Sequence, residues 1–362
     1  MGKSNDYSGM LEIISGRRTG LLACLVRCGL SVVTPLYRMG VGWRNWKFNR
    51  GQGVHQVDVP VISVGNLTTG GTGKTPFVIW LASFLRSIQG DSPHGKRVAI
   101  LSRGYGALPG KLNDEALEME QRLQDVPHLQ DPNRVQLART AIEELETEII
   151  LLDDGFQHRA LYRDLDIVLI DATLPFGFKR LLPRGLLREP ISSLERADAV
   201  VLTRGNQVTA ARRLEIKNRI LQSHPNVLWA EAIAEPERFC QASGAFCDLS
   251  SLRDQPVIAV CGIGNPSGFH ATLAELGLDV RDSITMGDHH HYSRADLELI
   301  QETAKQHTAE AIVCTHKDLV KINVDRIDSI PLYALQINLQ LKSGGTELEQ
   351  AIERLVNSAN PV

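Results

Sequence analysis

No CxxC pair occurs anywhere in the 362 residues, and no segment repeats or falls into low complexity. The six cysteines, Cys24, Cys28, Cys240, Cys247, Cys261 and Cys314, are scattered, and Cys261 and Cys314 sit inside apolar runs. This spacing argues against a disulfide framework and suits reduced thiols in a cytosolic compartment. A strong charge of one sign is missing as well. The formal net charge is −3, which argues against a general nucleic-acid binder. Also lacking is an unbroken apolar run of the roughly 20 residues that a membrane-spanning helix needs. The nearest approach, TGLLACLVRCGLSVVTPLY at 19–37, is interrupted by Arg27 and Pro35, and no small-residue cleavage site follows it. Neither a spanning helix nor a signal peptide is expected.

The charge that is present is uneven. Residues 1–53 hold eight basic residues against two acidic ones, a surplus of six, and the rest of the chain carries a deficit of nine. A basic, interrupted apolar segment reads as an amphipathic helix lying in an anionic membrane interface. A helix packed on the protein's own core is the alternative.

Length puts the prior at two domains. Short runs of Val, Ile and Leu ending in polar residues or glycine recur: VPVISVGN (59–66), RVAILSRGYG (97–106), EIILLDDG (148–155), DIVLIDAT (166–173) and AVVLTRG (199–205). NVLWAEAI (226–233), PVIAVCGIGN (256–265) and AIVCTHKD (311–318) continue the series. Such runs suit strands buried on both faces of a parallel sheet. Helical patterns such as PFVIWLASFLRSI and NRVQLARTAIEELE separate several of them, which gives the βαβ rhythm of an α/β fold. The rhythm lapses at 241–256, so the expected segments are 1–53, 54–245 and 246–362.

Ligands of such sheets bind at the carboxyl ends of the strands. At one of these ends stands NLTTGGTGKTP (66–76). It is a phosphate-loop pattern in which Thr68 replaces the usual first glycine. The candidate phosphate cradle is Thr68, Thr69, Gly70, Gly71, Thr72, Gly73, Lys74 and Thr75. Backbone N–H groups there form an anion nest at a helix mouth. Lys74 would reach the β and γ phosphates, and the Thr75 hydroxyl would ligate Mg²⁺. Asp153 and Asp154 end a strand and are the candidate Mg²⁺-side carboxylates. Arg103, Tyr105, Arg134, Gln157 and His158 form the candidate substrate set, since cationic and aromatic groups suit a phosphorylated sugar or lipid headgroup. The histidines of GDHHHYS (287–293) are adjacent in sequence and point apart, so acid–base work is expected of one of them rather than zinc binding. THKD (315–318) has the wrong spacing for guanine recognition, which favours ATP over GTP.

VGNLTTGGTGKTP, LSRGYG, LLDDGFQHRAL, LPRGLLREP, GIGNPSGF, DHHHYS and THKD, in this order, resemble the tetraacyldisaccharide 4′-kinase family. The resemblance implies a P-loop NTPase-type, mostly parallel sheet with helices on both faces. It also implies a smaller C-terminal α/β domain and an N-terminal membrane-interface helix. The implied activity is transfer of the γ-phosphate of ATP, with Mg²⁺, to the 4′-hydroxyl of a tetraacylated glucosamine disaccharide 1-phosphate. The implied location is the cytoplasmic face of the inner membrane, where the protein would be peripheral; no obligate protein partner is expected. The family's catalytic Asp falls in NDEA, giving Asp114, and its His partner is the first of DHH, giving His289. The competing reading is a P-loop NTPase switch of the metallochaperone or partition type.

Overall fold

The computed structural model describes residues 3–88, 95–104, 114–287 and 290–358. They fall into two compact units. The larger consists of Ser8–Leu112, Arg122–Ala234 and Leu339–Val362, and the smaller of Glu235–Asn338 with Asn113–Gln121 and the N-terminal Met1–Tyr7. The division after Ala234 comes earlier than the lapse in rhythm at 241–256, and the last residues return to the larger unit.

In chain order the helices are α1 Lys3–Ser15, α2 Leu21–Asn49, α3 Lys74–Ser87, α4 Asp114–Arg122, α5 Arg134–Leu145 and α6 Ala210–Ser223. They continue with α7 Pro266–Glu275, α8 Arg294–Gln306, α9 His316–Ile322 and α10 Gly345–Ser358. The strands are β1 Val61–Asn66, β2 Val98–Ser102, β3 His128–Gln130, β4 Ile149–Asp153, β5 Leu165–Asp171, β6 Ala199–Thr203 and β7 Leu228–Cys240. Then come β8 Phe246–Cys247, β9 Pro256–Cys261, β10 Asp279–Thr285, β11 Ala311–Thr315, β12 Arg326–Ile327 and β13 Ile330–Leu341.

The larger unit is built on parallel strands in the order β7-β6-β5-β1-β4-β2-β3. Strands β1, β2, β4, β5 and β6 are buried along their whole length, as uninterrupted Val/Ile/Leu runs require. The chain leaves β1 toward β2 on one side and returns through β4 to β5 on the other. The topological switch therefore lies beside β1, where α/β sheets open a ligand crevice. Close approach is enforced there by sequence. A Cβ on Gly65 of β1 would lie 2.5 Å from Cβ of Phe156, so only glycine lets the DDGF turn pack on that strand.

The smaller unit has parallel β10-β9-β11-β13, with β12 antiparallel to β13. Its core joins Ile258, Val260, Ile312 and Cys314 of the strands to Ile300 and Leu319 of α8 and α9.

Helix α2 runs 29 residues, straight through Arg27 and Pro35. The residues that interrupt the apolar run do not interrupt the helix. Pro35 forgoes its bond to the preceding turn, and Arg27 uses its guanidinium on the carbonyls of Ile13 and Arg18. One stripe of the helix, including Ala23, Tyr37, Val41, Arg44 and Asn45, faces the larger unit. Tyr37 donates to the Arg188 carbonyl (2.9 Å), and Arg44 and Asn45 donate to the Glu189 carboxylate (2.8 and 3.0 Å). The opposite stripe leaves Leu22, Leu25, Val32, Leu36, Met39, Trp43 and Trp46 in solvent.

Candidate functional site

The site is built where β1 hands over to α3. Gly73 adopts φ 82°, a left-handed conformation that glycine takes without strain. The next residues, Lys74, Thr75 and Pro76, open α3, with Thr75 buried at 8% exposure. Thr203, at the end of β6, donates its hydroxyl to the Thr72 carbonyl (2.8 Å). Asn66 staples the loop from its other end. Its amide donates to Thr72 Oγ1 (3.0 Å), and its carbonyl accepts from Gln157 Nε2 (3.0 Å).

The first part of the loop has a structural task. Thr69 N–H donates to the Leu186 carbonyl (2.8 Å) and Arg188 N–H to the Leu67 carbonyl (2.7 Å), so Thr68 pairs antiparallel with Leu187. LPRGLLREP is thereby fastened along the loop. The N–H of Thr69 is spent within the protein, and Gly70 and Gly71 form the exposed part of the turn.

That fastening delivers Arg188. Its guanidinium grips Asp154 with both arms (2.7 and 3.0 Å) and also donates to Asn66 Oδ1 (3.2 Å). Lys74 Nζ lies 3.9 Å from the same carboxylate. Arg134, buried at the head of α5, donates to the Asp154 carbonyl (3.1 Å). Asp153 closes β4 opposite Val64 of β1, while Asp154 leaves the strand with φ 51°. The two acids therefore differ in more than strand face, since the left-handed turn aims Asp154 at Lys74 and Arg188. Three cations thus gather around Asp154 at the mouth of a helix. Burial alone would raise the Asp154 carboxyl. Lys74, the Arg188 hydrogen bond and charge, and Arg134 outweigh burial and hold it below its ordinary value. Burial pulls the Arg134 guanidinium below its usual range, against the opposing pull of Asp154 and Asp153.

Around this centre, His158 is half-buried and its pKa is pulled down to about 4, first by burial and then by Arg134, Arg163 and Arg103. It is neutral at physiological pH. Arg103 is exposed just past the end of β2. Asp114 opens α4 in the smaller unit, 8% exposed, with Lys321 Nζ 3.5 Å from its carboxylate. Tyr105 and His289 lie outside the described residues. Of the adjoining histidines, His290 Nε2 meets Asp296 Oδ2 at 3.1 Å, and among the described residues no three ligand-type side chains gather as a metal site.

Sequence reasoning left Asn66, Arg188 and Thr203 without a role. Arg188 sits in LPRGLLREP, and its function depends on pairing with residues about 120 positions earlier. Local pattern does not reveal such a pairing.

A strand, a glycine-rich nest, Lys-Thr at a helix mouth and acids ending the adjacent strand define a P-loop phosphoryl-transfer protein. The family model described as tetraacyldisaccharide-1-P 4′-kinase matches residues 26–357, and the chain belongs to this family of kinases. It is 37% identical to the tetraacyldisaccharide 4′-kinase of Halothermothrix orenii over 96% of this chain and 97% of that protein. It is 33% identical to the tetraacyldisaccharide 4′-kinase of Geobacter sulfurreducens over 95% and 98%. Among solved structures it is similar to the crystal structure of the apo form of LpxK from Aquifex aeolicus in complex with ATP. That comparison has a TM-score of 0.71 and 30% identity, covering 91% of this chain and 99% of the other.

Proposed function

We propose that the chain transfers the γ-phosphoryl group of ATP to the 4′-hydroxyl of a tetraacylated glucosamine disaccharide 1-phosphate, a step in building lipid A. The observation that carries this reading is the cation cluster of Lys74, Arg134 and Arg188 around Asp154 beside the glycine turn. Phosphoryl transfer is mostly positioning and charge neutralisation. In this reading the loop N–H groups from Gly70 onward and the mouth of α3 receive phosphate oxygens. Lys74 moves from Asp154 to the β and γ phosphates, and Arg188 stays oriented by Asp154.

Magnesium fits the donor set. Asp154 already gives both oxygens to Arg188, so Asp153 and the Thr75 hydroxyl are the residues that would hold the ion. Bound there, Mg²⁺ supplies charge neutralisation at the phosphate oxygens. Asp154 serves by ordering the cations. Arg134 and Gln157 already brace the loop and its neighbouring turn, so the exposed Arg103 is the better headgroup contact, with Tyr105 and His158 completing the set.

As the acceptor O–H bond breaks, its oxygen bonds the γ-phosphorus, and ADP leaves with the electron pair of the broken P–O bond. Asp114 takes the proton, with His289 orienting it. Both roles rest on the family resemblance.

The enzyme works at the membrane surface without spanning it, on the cytoplasmic face of the inner membrane where ATP is available. Helix α2 is long and apolar enough to cross a bilayer. Its inner stripe, however, is tied to the larger unit through Tyr37, Arg44 and Asn45, which a lipid-surrounded helix could not keep. Its outer apolar stripe, among basic residues, suits the headgroup layer.

Lys74→Ala tests the reading. The loss in kcat should be about 10²-fold or more with the fold intact, measured as phosphate transfer to the dispersed lipid. Near-normal turnover would remove the loop from the chemistry.

A further inference from the structure

The segment THKDLVK, unsuited to guanine, builds a buried charge cluster within the smaller unit. Thr315 caps α9, and Asp318 is fully buried three residues later. The carboxylate of Asp318 accepts from the Gly262 N–H (3.0 Å) and from the Thr315 hydroxyl (2.6 Å). It is fixed by two elements at once. One turn on, Lys321 places Nζ 3.4 Å from Asp318 Oδ1 and 3.5 Å from Asp114 Oδ2, with its side chain 5% exposed. The same ammonium lies 5.7 Å from the centre of the Tyr292 ring. A second tie between α9 and α4 places His316 Nδ1 3.9 Å from Glu118 Oε1.

We propose that Lys321 is a positioning residue for Asp114, holding this carboxylate ionised and aimed for proton acceptance. The proposal rests on the reading of Asp114 as the proton acceptor. A buried cation without a counter-charge is costly. Here one ammonium is shared by two carboxylates. When Asp114 takes up the substrate's proton, Lys321 keeps Asp318 as its counter-ion. The cluster can therefore pass through the protonated state of Asp114 without stranding a charge. The fixed Asp318 locates the ammonium, and the ammonium locates Asp114. The groups facing the lysine are Asp114 from α4, Asp318 from its own helix, Tyr292 from the segment before α8, and Cys314 from β11. Tyr292 and Cys314 stay neutral. Burial first, then the Asp318 charge, pushes both the Tyr292 hydroxyl and the Cys314 thiol upward. Cys261 also lies within the field of Asp318 and is raised, first by burial.

The test is the pH profile of kcat in the full-length protein, dispersed in detergent, with ATP and the tetraacyl disaccharide 1-phosphate. An adjacent cation favours the ionised carboxyl and removing it disfavours that form, so Lys321→Gln should move the acidic limb to higher pH. At neutral pH kcat should fall on the order of tenfold to a hundredfold, with KM for ATP unchanged. Lys321→Arg, which keeps the charge, should restore the wild-type limb. Lys321→Met gives the same reading as Lys321→Gln should the latter not fold. An unmoved limb in a folded, slowed neutral variant, or a wild-type kcat, overturns the proposal alone. A wild-type rate in Asp114→Asn overturns the underlying reading and the proposal with it.

Discussion

Asp154 gathers more of the site than any other described side chain. Its carboxyl stays ionised because Lys74 and Arg188 outweigh the burial that would raise it. Arg188 in turn is held by Asp154 and Asn66 on one side and by its backbone bond to Leu67 on the other. Arg188→Gln keeps much of the bulk and removes the fork. It should lower kcat about 10–100-fold in a folded protein, the usual cost of losing a group that orients a reacting partner. Steady-state kinetics that match wild type would show that the fork is incidental. Two half-buried histidines couple stability to pH. His128 and His158 are each pulled down to about 4, in both cases chiefly by burial, from an unfolded value of about 6.5. Their folded values are depressed, so the neutral forms are the stable ones. Their contribution is whole above pH ~6.5 and is lost as pH falls toward 4. A His128→Asn, His158→Asn double variant should therefore lose less melting temperature between neutral pH and pH ~4.5 than wild type. Parallel curves for the two proteins would contradict the shifts.

Helix α2 packs one stripe on the larger unit and exposes the other. Burying neither Leu36 (68% exposed) nor Trp43 (69% exposed) against the protein leaves an apolar band that a water-soluble surface rarely tolerates. Leu36→Glu with Trp43→Glu should abolish pelleting with anionic phospholipid vesicles while melting as wild type does. High salt should partly mimic the change by screening Arg38, Lys47 and Arg50. Undiminished pelleting of the double variant would show that the stripe does not touch lipid. Among the other elements, legibility followed burial. Strands β1, β4, β5 and β6 were readable because both faces are covered and their residues are uniformly apolar. Strand β10 was not, because Arg281, Asp282 and Ser283 are exposed on it and it pairs on one side only. Strand β13 was masked by Gln336, a buried polar residue satisfied by Glu237 and Arg238 from β7. No local pattern announces that arrangement. Helix α2 was legible as an amphipathic helix, but which of its stripes packs on the larger unit cannot be seen in the sequence. The loop and the paired acids at the site were legible from local chemistry. The fastening of LPRGLLREP to the loop was not, because it is a contact distant in sequence.

At the scale of the whole molecule, β7 and β13 each carry the chain from one unit into the other. The short segment containing Asp114, between two stretches of the larger unit in sequence, clusters with Glu235–Asn338. The larger unit holds the phosphate loop and its cations. The smaller holds the Asp114–Lys321–Asp318 cluster. The basic surplus of residues 1–53 stands against an acidic remainder. These features together describe an enzyme that uses ATP on a lipid rather than a switch that hydrolyses it. The most direct test measures ADP formation and lipid phosphorylation together, with and without the tetraacyl disaccharide 1-phosphate. Little ADP is expected without the lipid, and with it one phosphorylated 4′-hydroxyl for each ADP released. Rapid ATP hydrolysis that ignores the lipid, with no phosphate on the disaccharide, would contradict this expectation.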